Sequence, residues 1–109
     1  MRLERKGDEI LKTPRIVALF KILGDENRLK MIQLVKIGTK NAKDIREHFD
    51  LEISPINNHL LNLTKAGILT RVKDPIRKDY EYSISPDVTN KFYELAEKAS
   101  ELLEVLHER

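Results

Sequence analysis

The 109-residue chain contains no cysteine. That absence excludes disulfides, thiolate metal sites and cysteine nucleophiles together, and it suits a reducing cytoplasm. Glycine is scarce, and Gly7, Gly24, Gly38 and Gly67 stand alone, so no glycine-rich loop can cradle a phosphate. The longest purely apolar run, Ile16 to Phe20, is five residues, far short of a membrane span. Met1 to Lys12 is mostly polar and lacks the apolar stretch of a secretion signal. Candidates for acid–base work are few. His48 beside Glu47, and His59, have no serine, cysteine or paired carboxylate at helical spacing, so an enzyme is not expected. No His/Cys/Asp/Glu cluster has ligand spacing either, so neither a metal nor another cofactor is expected.

What is present is charge, unevenly placed. The formal net charge is only +2. Residues 1–86 nevertheless hold 17 basic against 12 acidic side chains, while residues 87–109 hold 3 against 6. Ile53 to Lys73 has no acidic residue, and neither has Asn27 to Lys43, which carries five basic ones. A polyanion would be drawn to the first part of the chain and not to its end. For Asn27 to Lys43 alone, a merely solvated face explains the pattern equally well.

Punctuation divides the chain into elements. Thr13-Pro14 opens a first helix with Ile16, Val17, Leu19, Phe20 and Leu23, and Gly24 stops it. Asp25 caps a second, with Leu29, Ile32 and Val35 on its apolar face and Met31 and Leu34 alongside, ending at Gly38. Asn41 caps a short third helix with Ala42, Ile45 and Phe49 on one side. Asp50 to Ile53 form a turn plugged by Leu51. Ser54-Pro55 repeats the cap-then-proline signal and starts a fourth helix. Its inward positions are Ile56, Leu60 and Leu63, which leaves Pro55, Asn57, Asn58, Asn62 and Lys65 outward. Ile68 to Lys73 and Tyr80 to Ile84 alternate as two strands of a hairpin, joined by a basic turn at residues 74–79. Ser85-Pro86-Asp87 starts the last helix. Its apolar positions Val88, Phe92, Leu95, Ala99, Leu102 and Leu106 repeat at coiled-coil spacing.

This order predicts a mainly α fold with a small β-hairpin wing, a winged helix-turn-helix of about five helices. One helix of such a fold lies in the major groove of double-stranded DNA. Asparagine is a mediocre helix former, yet three occupy the outward side of the fourth helix, where their amides can pair with adenine edges. The candidate DNA-binding residues are Ser54, Pro55, Asn57, Asn58, His59, Asn62 and Lys65 on that helix, with Arg71, Lys73, Arg77 and Lys78 on the wing. For His59, burial against the helix pair weighs as much as a phosphate or base contact. Tyr80 and Tyr82 are expected to pack the hairpin onto the core.

From Leu19 to Leu106, about four-fifths of the chain, the sequence resembles the ArsR-type winged-helix transcriptional repressors of bacteria and archaea. The likeness is carried by Leu23-Gly24-Asp25-Glu26-Asn27-Arg28-Leu29, by Ser54 to Leu60 in the pattern Ser-x-x-x-x-His-Leu, and by the hairpin ending Tyr80-Glu81-Tyr82-Ser83-Ile84-Ser85. The resemblance implies a symmetric dimer built on the first and last helices, imperfect inverted-repeat operators, and repression by blocking polymerase. Metal-sensing members carry cysteines where Lys40, Asn41 and Ala42 stand here. Others use an Asp/His set on the last helix, where this chain has Asp87 and Thr89, with His107 at the far end. No metal site and no named effector are therefore expected.

The last helix has a wider apolar stripe than one small domain can cover. A homodimer is expected, with Ile16, Val17, Phe20, Val88, Phe92, Leu95, Ala99, Leu102 and Leu106 at its interface. Residues 1–12 read as an N-terminal arm, 13–86 as the DNA-binding core and 87–109 as the dimerisation helix. The rival reading is a winged-helix protein-interaction module in a transcription or antitoxin complex, which would bind DNA without sequence preference.

Overall fold

The computed structural model describes residues 13–107; the expected arm, residues 1–12, lies outside them. The described residues form helices α1 (Pro14–Leu23), α2 (Glu26–Lys36), α3 (Ala42–Arg46) and α4 (Ile53–Lys65), strands β1 (Thr70–Lys73) and β2 (Tyr80–Ser83), and helix α5 (Pro86–His107). The strands pair antiparallel with Arg71 opposite Tyr82 and Lys73 opposite Tyr80. Together the elements make a winged helix-turn-helix.

Local chemistry sets most boundaries. The Asp25 carboxylate accepts from the Arg28 N–H at 3.1 Å and caps α2, and Asn41 Oδ1 accepts from the Asp44 N–H at 2.9 Å and caps α3. After α2 and α4 the chain turns back through Gly38 (φ +110°) and Gly67 (φ +81°), left-handed positions that a side chain would strain. One start differs from expectation. Helix α4 begins at Ile53, with Glu52 rather than Ser54 in the cap position and no side chain capping it. Proline is tolerated throughout a first turn because those N–H groups have no intrahelical acceptor, so Ser54-Pro55 falls inside the helix. The first strand is also shorter than its alternation suggested: Ile68 and Leu69 are buried in the connection before Thr70.

The core is one cluster. Met31, Ile32, Ile45, Ile56, Leu60, Leu63 and Leu69 are its largest fully buried side chains. Ile56, Leu60 and Leu63 thus put one stripe of α4 against α2 and α3, each worth roughly 1.5–3 kcal/mol of burial. Leu29, expected on the buried face of α2, is exposed and Met31 takes the interior instead. Tyr82 seats the hairpin on this core, and its N–H donates to the Lys40 carbonyl at 2.7 Å, tying the α2–α3 loop to the wing. That tie had no signal in the sequence.

The ends of the fold are less covered. Neither α1 nor α5 has a buried residue. Val88 and Phe92 pack against the core, but from Ala96 to His107 every residue of α5 is exposed. The described chain measures 62 × 29 × 24 Å with a radius of gyration of 16.6 Å, against about 13 Å for a compact domain of 100 residues.

Leu60→Ala is expected to lower the unfolding free energy by about 2–5 kcal/mol, while Asn58→Ala stays within about 0.5 kcal/mol. Urea denaturation at fixed protein concentration measures both; equal losses would mean that α4 is not two-faced.

Candidate nucleic-acid interface

The burial of Ile56, Leu60 and Leu63 decides where the rest of α4 points. Ser54, Pro55, Asn57, Asn58 and Lys65 are exposed, and Asn62 is half-buried. With about 100° of rotation per residue, Asn57 and Asn62 stand about 140° apart around the helix. The three asparagines therefore do not share one face. Asn57 borders a hollow of about 280 Å³ with Ala42, Lys43, Ile53, Asp79, Tyr80 and Tyr82, along the β2 side of the wing. Asn62 and Lys65 border another, of about 630 Å³, with Arg15, Ile16, Ala18, Leu19, Ile22 and Ala66, on the side of α1. Asn58 is left on the outermost side, near Lys65 in projection. Of the three, Asn57 and Asn58 are the exposed ones, and they stand on the N-terminal half of α4, whose first N–H groups have no side-chain cap.

His59 is half-buried, and its Nδ1 accepts from Arg28 Nε at 3.0 Å. Arg28 also donates from Nη1 to the Ile22 carbonyl at 3.4 Å. Through Arg28, His59 ties α4 to α2 and to the end of α1.

The acid-free run from Asn27 to Lys43 is dispersed in the same manner. Arg28 holds His59, Lys30 Nζ donates to the His48 carbonyl at 2.6 Å and lies over the Phe49 ring, and Lys36 lies over the ring of Tyr93. These cations brace the protein rather than form one patch. Lys43 differs. Exposed like Lys30 and Lys36, it borders hollows on both sides of the start of α4. Sequence reasoning missed it because its run of charge gave no way to separate it from its neighbours.

Arg71 lies 4.0 Å above the Tyr80 ring, on the wing face that also carries Tyr82 and Lys73. Lys73 and Lys78 are exposed. Arg77 is surrounded by carboxylates: Nε lies 3.8 Å from Asp74 and 3.5 Å from Asp79, and Nη2 lies 3.9 Å from Glu81. Its charge is largely spent within the turn, so the wing is less basic than its sequence suggested. Asp74 organises that turn. Its Oδ1 accepts from the N–H groups of Ile76 (2.8 Å) and Arg77 (2.9 Å). The N–H of Arg77, then that of Ile76, hold the Asp74 carboxyl below the usual carboxylate range, with the Arg77 charge adding to them.

Among the described residues no group of three or more His, Cys, Asp or Glu side chains could hold a metal ion. No helix there is long and apolar enough to cross a membrane.

An exposed helix seated on a helix pair, with a hairpin wing beside it, defines a winged helix-turn-helix. No family model matches the chain. Sequence relatives do. The cadmium resistance transcriptional regulatory protein CadC of Listeria innocua is 38% identical over 63 residues, covering 57% of this chain and 53% of that protein. The transcriptional repressor SdpR of Bacillus subtilis is 36% identical over 52 residues, 48% of this chain and 58% of that one. The arsenical resistance operon repressor of Staphylococcus aureus is 30% identical over 63 residues, 58% of this chain and 61% of that repressor. The chain therefore spans between half and two-thirds of the length of these relatives. Among solved structures, a homodimeric winged helix-turn-helix DNA-binding domain from Mycobacterium bovis, a possible ArsR-family regulator, superposes with a TM-score of 0.70 at 18% identity, covering 93% of this chain and 92% of that domain. NolR from Sinorhizobium fredii gives 0.67 at 16% identity, with 89% and 94% covered. The structures establish the fold, and with the sequence relatives they uphold the ArsR-type resemblance.

The Asp74 carboxyl is lowered in the folded wing, so its contribution is present above the usual carboxylate range and lost as pH falls through the lowered value. Protection of the Ile76 and Arg77 amides, taken relative to their intrinsic exchange rate at each pH, should be present at neutral pH and fall in that acid window. Unchanged protection there would remove Asp74 as the organiser of the turn.

Proposed function

We propose that this chain is a sequence-specific DNA-binding transcriptional regulator of the cytoplasm, acting as a homodimeric repressor on a palindromic operator. One observation carries the reading: α4 buries its only apolar stripe and leaves Asn57 and Asn58 exposed in a segment without a single carboxylate from Ile53 to Lys73. Such amides discriminate base edges, and no carboxylate within that segment repels the phosphates, the nearest acidic side chain along the chain being Glu52 in the cap position of α4. The wing cations Arg71, Lys73 and Lys78 and the flanking Lys43, Ser54 and Lys65 serve the backbone.

The dimer reading is supported by the apolar surface that the protomer leaves open. Phe20 of α1 is 51% exposed and Leu102 of α5 is 58% exposed. Leu19 and Leu23 of α1 line one apolar groove with Val88, Phe92 and Leu95 of α5. A two-fold mate covering both helices sets two reading helices about 34 Å apart, one turn of DNA. In this reading residues 13–86 form the DNA-binding core, 87–109 the dimerisation helix, and 1–12 an arm.

The effectors suggested by the names of two relatives, cadmium and arsenicals, are soft and favour thiolates. This chain has no cysteine, so its signal, if it has one, is of another chemistry.

Two measurements test the reading. Sedimentation at micromolar concentration should give about twice the 12.7 kDa chain mass; a monomer there would remove the dimer. On duplexes selected by the protein from a random pool, Asn57→Ala or Asn58→Ala should cost about 1–3 kcal/mol and relax preference at one base pair. Lys73→Ala should weaken all sequences alike and flatten the salt dependence. Asparagine variants that lose equally on random DNA would mean that α4 does not read bases, as the protein-interaction alternative requires.

A further inference from the structure

At the wing tip Ile76 is 88% exposed, next to an exposed Pro75. Lone apolar surface residues are common and need no role, but this one is held on a braced turn. Asp74 Oδ1 fixes the N–H of Ile76 at 2.8 Å and that of Arg77 at 2.9 Å. The Asp74 N–H donates to the Asp79 carbonyl at 2.7 Å, and the Lys78 N–H to the Asp74 carbonyl at 2.8 Å. Lys78 takes φ +62° to close the turn, a backbone state uncommon outside glycine. Arg77 spans the carboxylates of Asp74, Asp79 and Glu81. The tip is therefore ordered before it meets anything.

It also carries no net charge. From Lys73 to Glu81 three basic side chains stand against three acidic ones. A phosphate-binding arm gains its affinity from net positive charge and counterion release, and this tip has no surplus of it beyond the single cations Lys73 and Lys78, since Arg77 is paired within the turn. What it offers is a rigid, branched apolar side chain. The surface continues from the reading helix, since Asn57 of α4 and Tyr80, which pairs with Lys73 in the rung beside the turn, border the same hollow.

We infer that Ile76 is an apolar wedge that enters the minor groove beside the half-site read by α4. The inference rests on the DNA-binding reading above and names the wing's share of it. An inserted apolar side chain partly unstacks a base step and bends the duplex, most readily at flexible pyrimidine–purine steps. Arg77 holds the wedge in place, and the wing contributes shape where Lys73 and α4 contribute charge.

The test uses the full chain and a duplex that the wild-type protein has selected from a random pool, labelled at both ends for energy transfer. The wild type should bring the ends closer on binding. Ile76→Ala should lose most of that bend and on the order of tenfold in affinity, with an unchanged salt slope. Ile76→Lys should also lose the bend and gain no affinity, although it adds a cation. Three results would overturn the wedge: a selected site left unbent by the wild type, Ile76→Ala that bends and binds like the wild type, or Ile76→Lys that binds more tightly with a steeper salt slope. A wild type that selects no sequence at all would instead remove the DNA-binding reading. Ile76 is exposed, so neither variant disturbs the core.

Discussion

The burial of Ile56, Leu60 and Leu63 against α2 and α3 is the contact on which the arrangement depends. These three side chains are fully buried, and they are the only buried ones that α4 has. A helix with one apolar stripe has a single way to satisfy it. Its opposite side is then necessarily turned outward, and with it Asn58 and, at the flank, Asn57. Polar contacts hold the register rather than supply the energy: Arg28 fixes His59 from one side, and Arg46 donates to the Leu51 carbonyl at 3.0 Å in the turn that leads into α4. Removing water from the stripe drives the docking, and these bonds select one orientation within it.

The wing follows a different logic. Its two strands bury little beyond Tyr82, so packing alone would leave the connecting turn loose. Asp74 and Arg77 replace packing with hydrogen bonds and short charge separations. Pairs this exposed add little to global stability. Their effect is local order, which lowers the entropy lost when the tip is placed against another surface. The same use of charge explains why a hairpin rich in lysine and arginine presents a nearly neutral tip.

The two ends of the fold leave much of their apolar surface uncovered. Helix α5 packs its first turns on the core through Val88 and Phe92 and then leaves it. Beyond that point Leu102, Leu103, Val105 and Leu106 are exposed on the free end of the helix. Elongation and apolar exposure have one cause. A 22-residue helix of about 33 Å cannot stay on a core built from elements half its length.

The sequence by itself determined the order of elements, the caps at Asp25 and Asn41, the stripe of α4 and the seat of Tyr82, because each follows from local chemistry or from a period that neighbours in the chain reveal. The two-residue shift at the start of α4 lay at the limit of such reasoning, since a proline in any first-turn position has the same local cost. Only tertiary structure decided the fate of individual charges and amides. Arg28, Lys30 and Lys36 look equivalent to Lys43 along the chain, yet three reach across to His59, the His48 carbonyl and the Tyr93 ring, while Lys43 borders the hollows beside α4. Arg77 reads as a phosphate ligand and is taken by Asp74, Asp79 and Glu81, while Asn62 turns toward α1. The reason is physical. Hydrophobic periodicity is a property of one element, whereas the partner of a long polar side chain is fixed by which elements the core brings within a few ångströms of it.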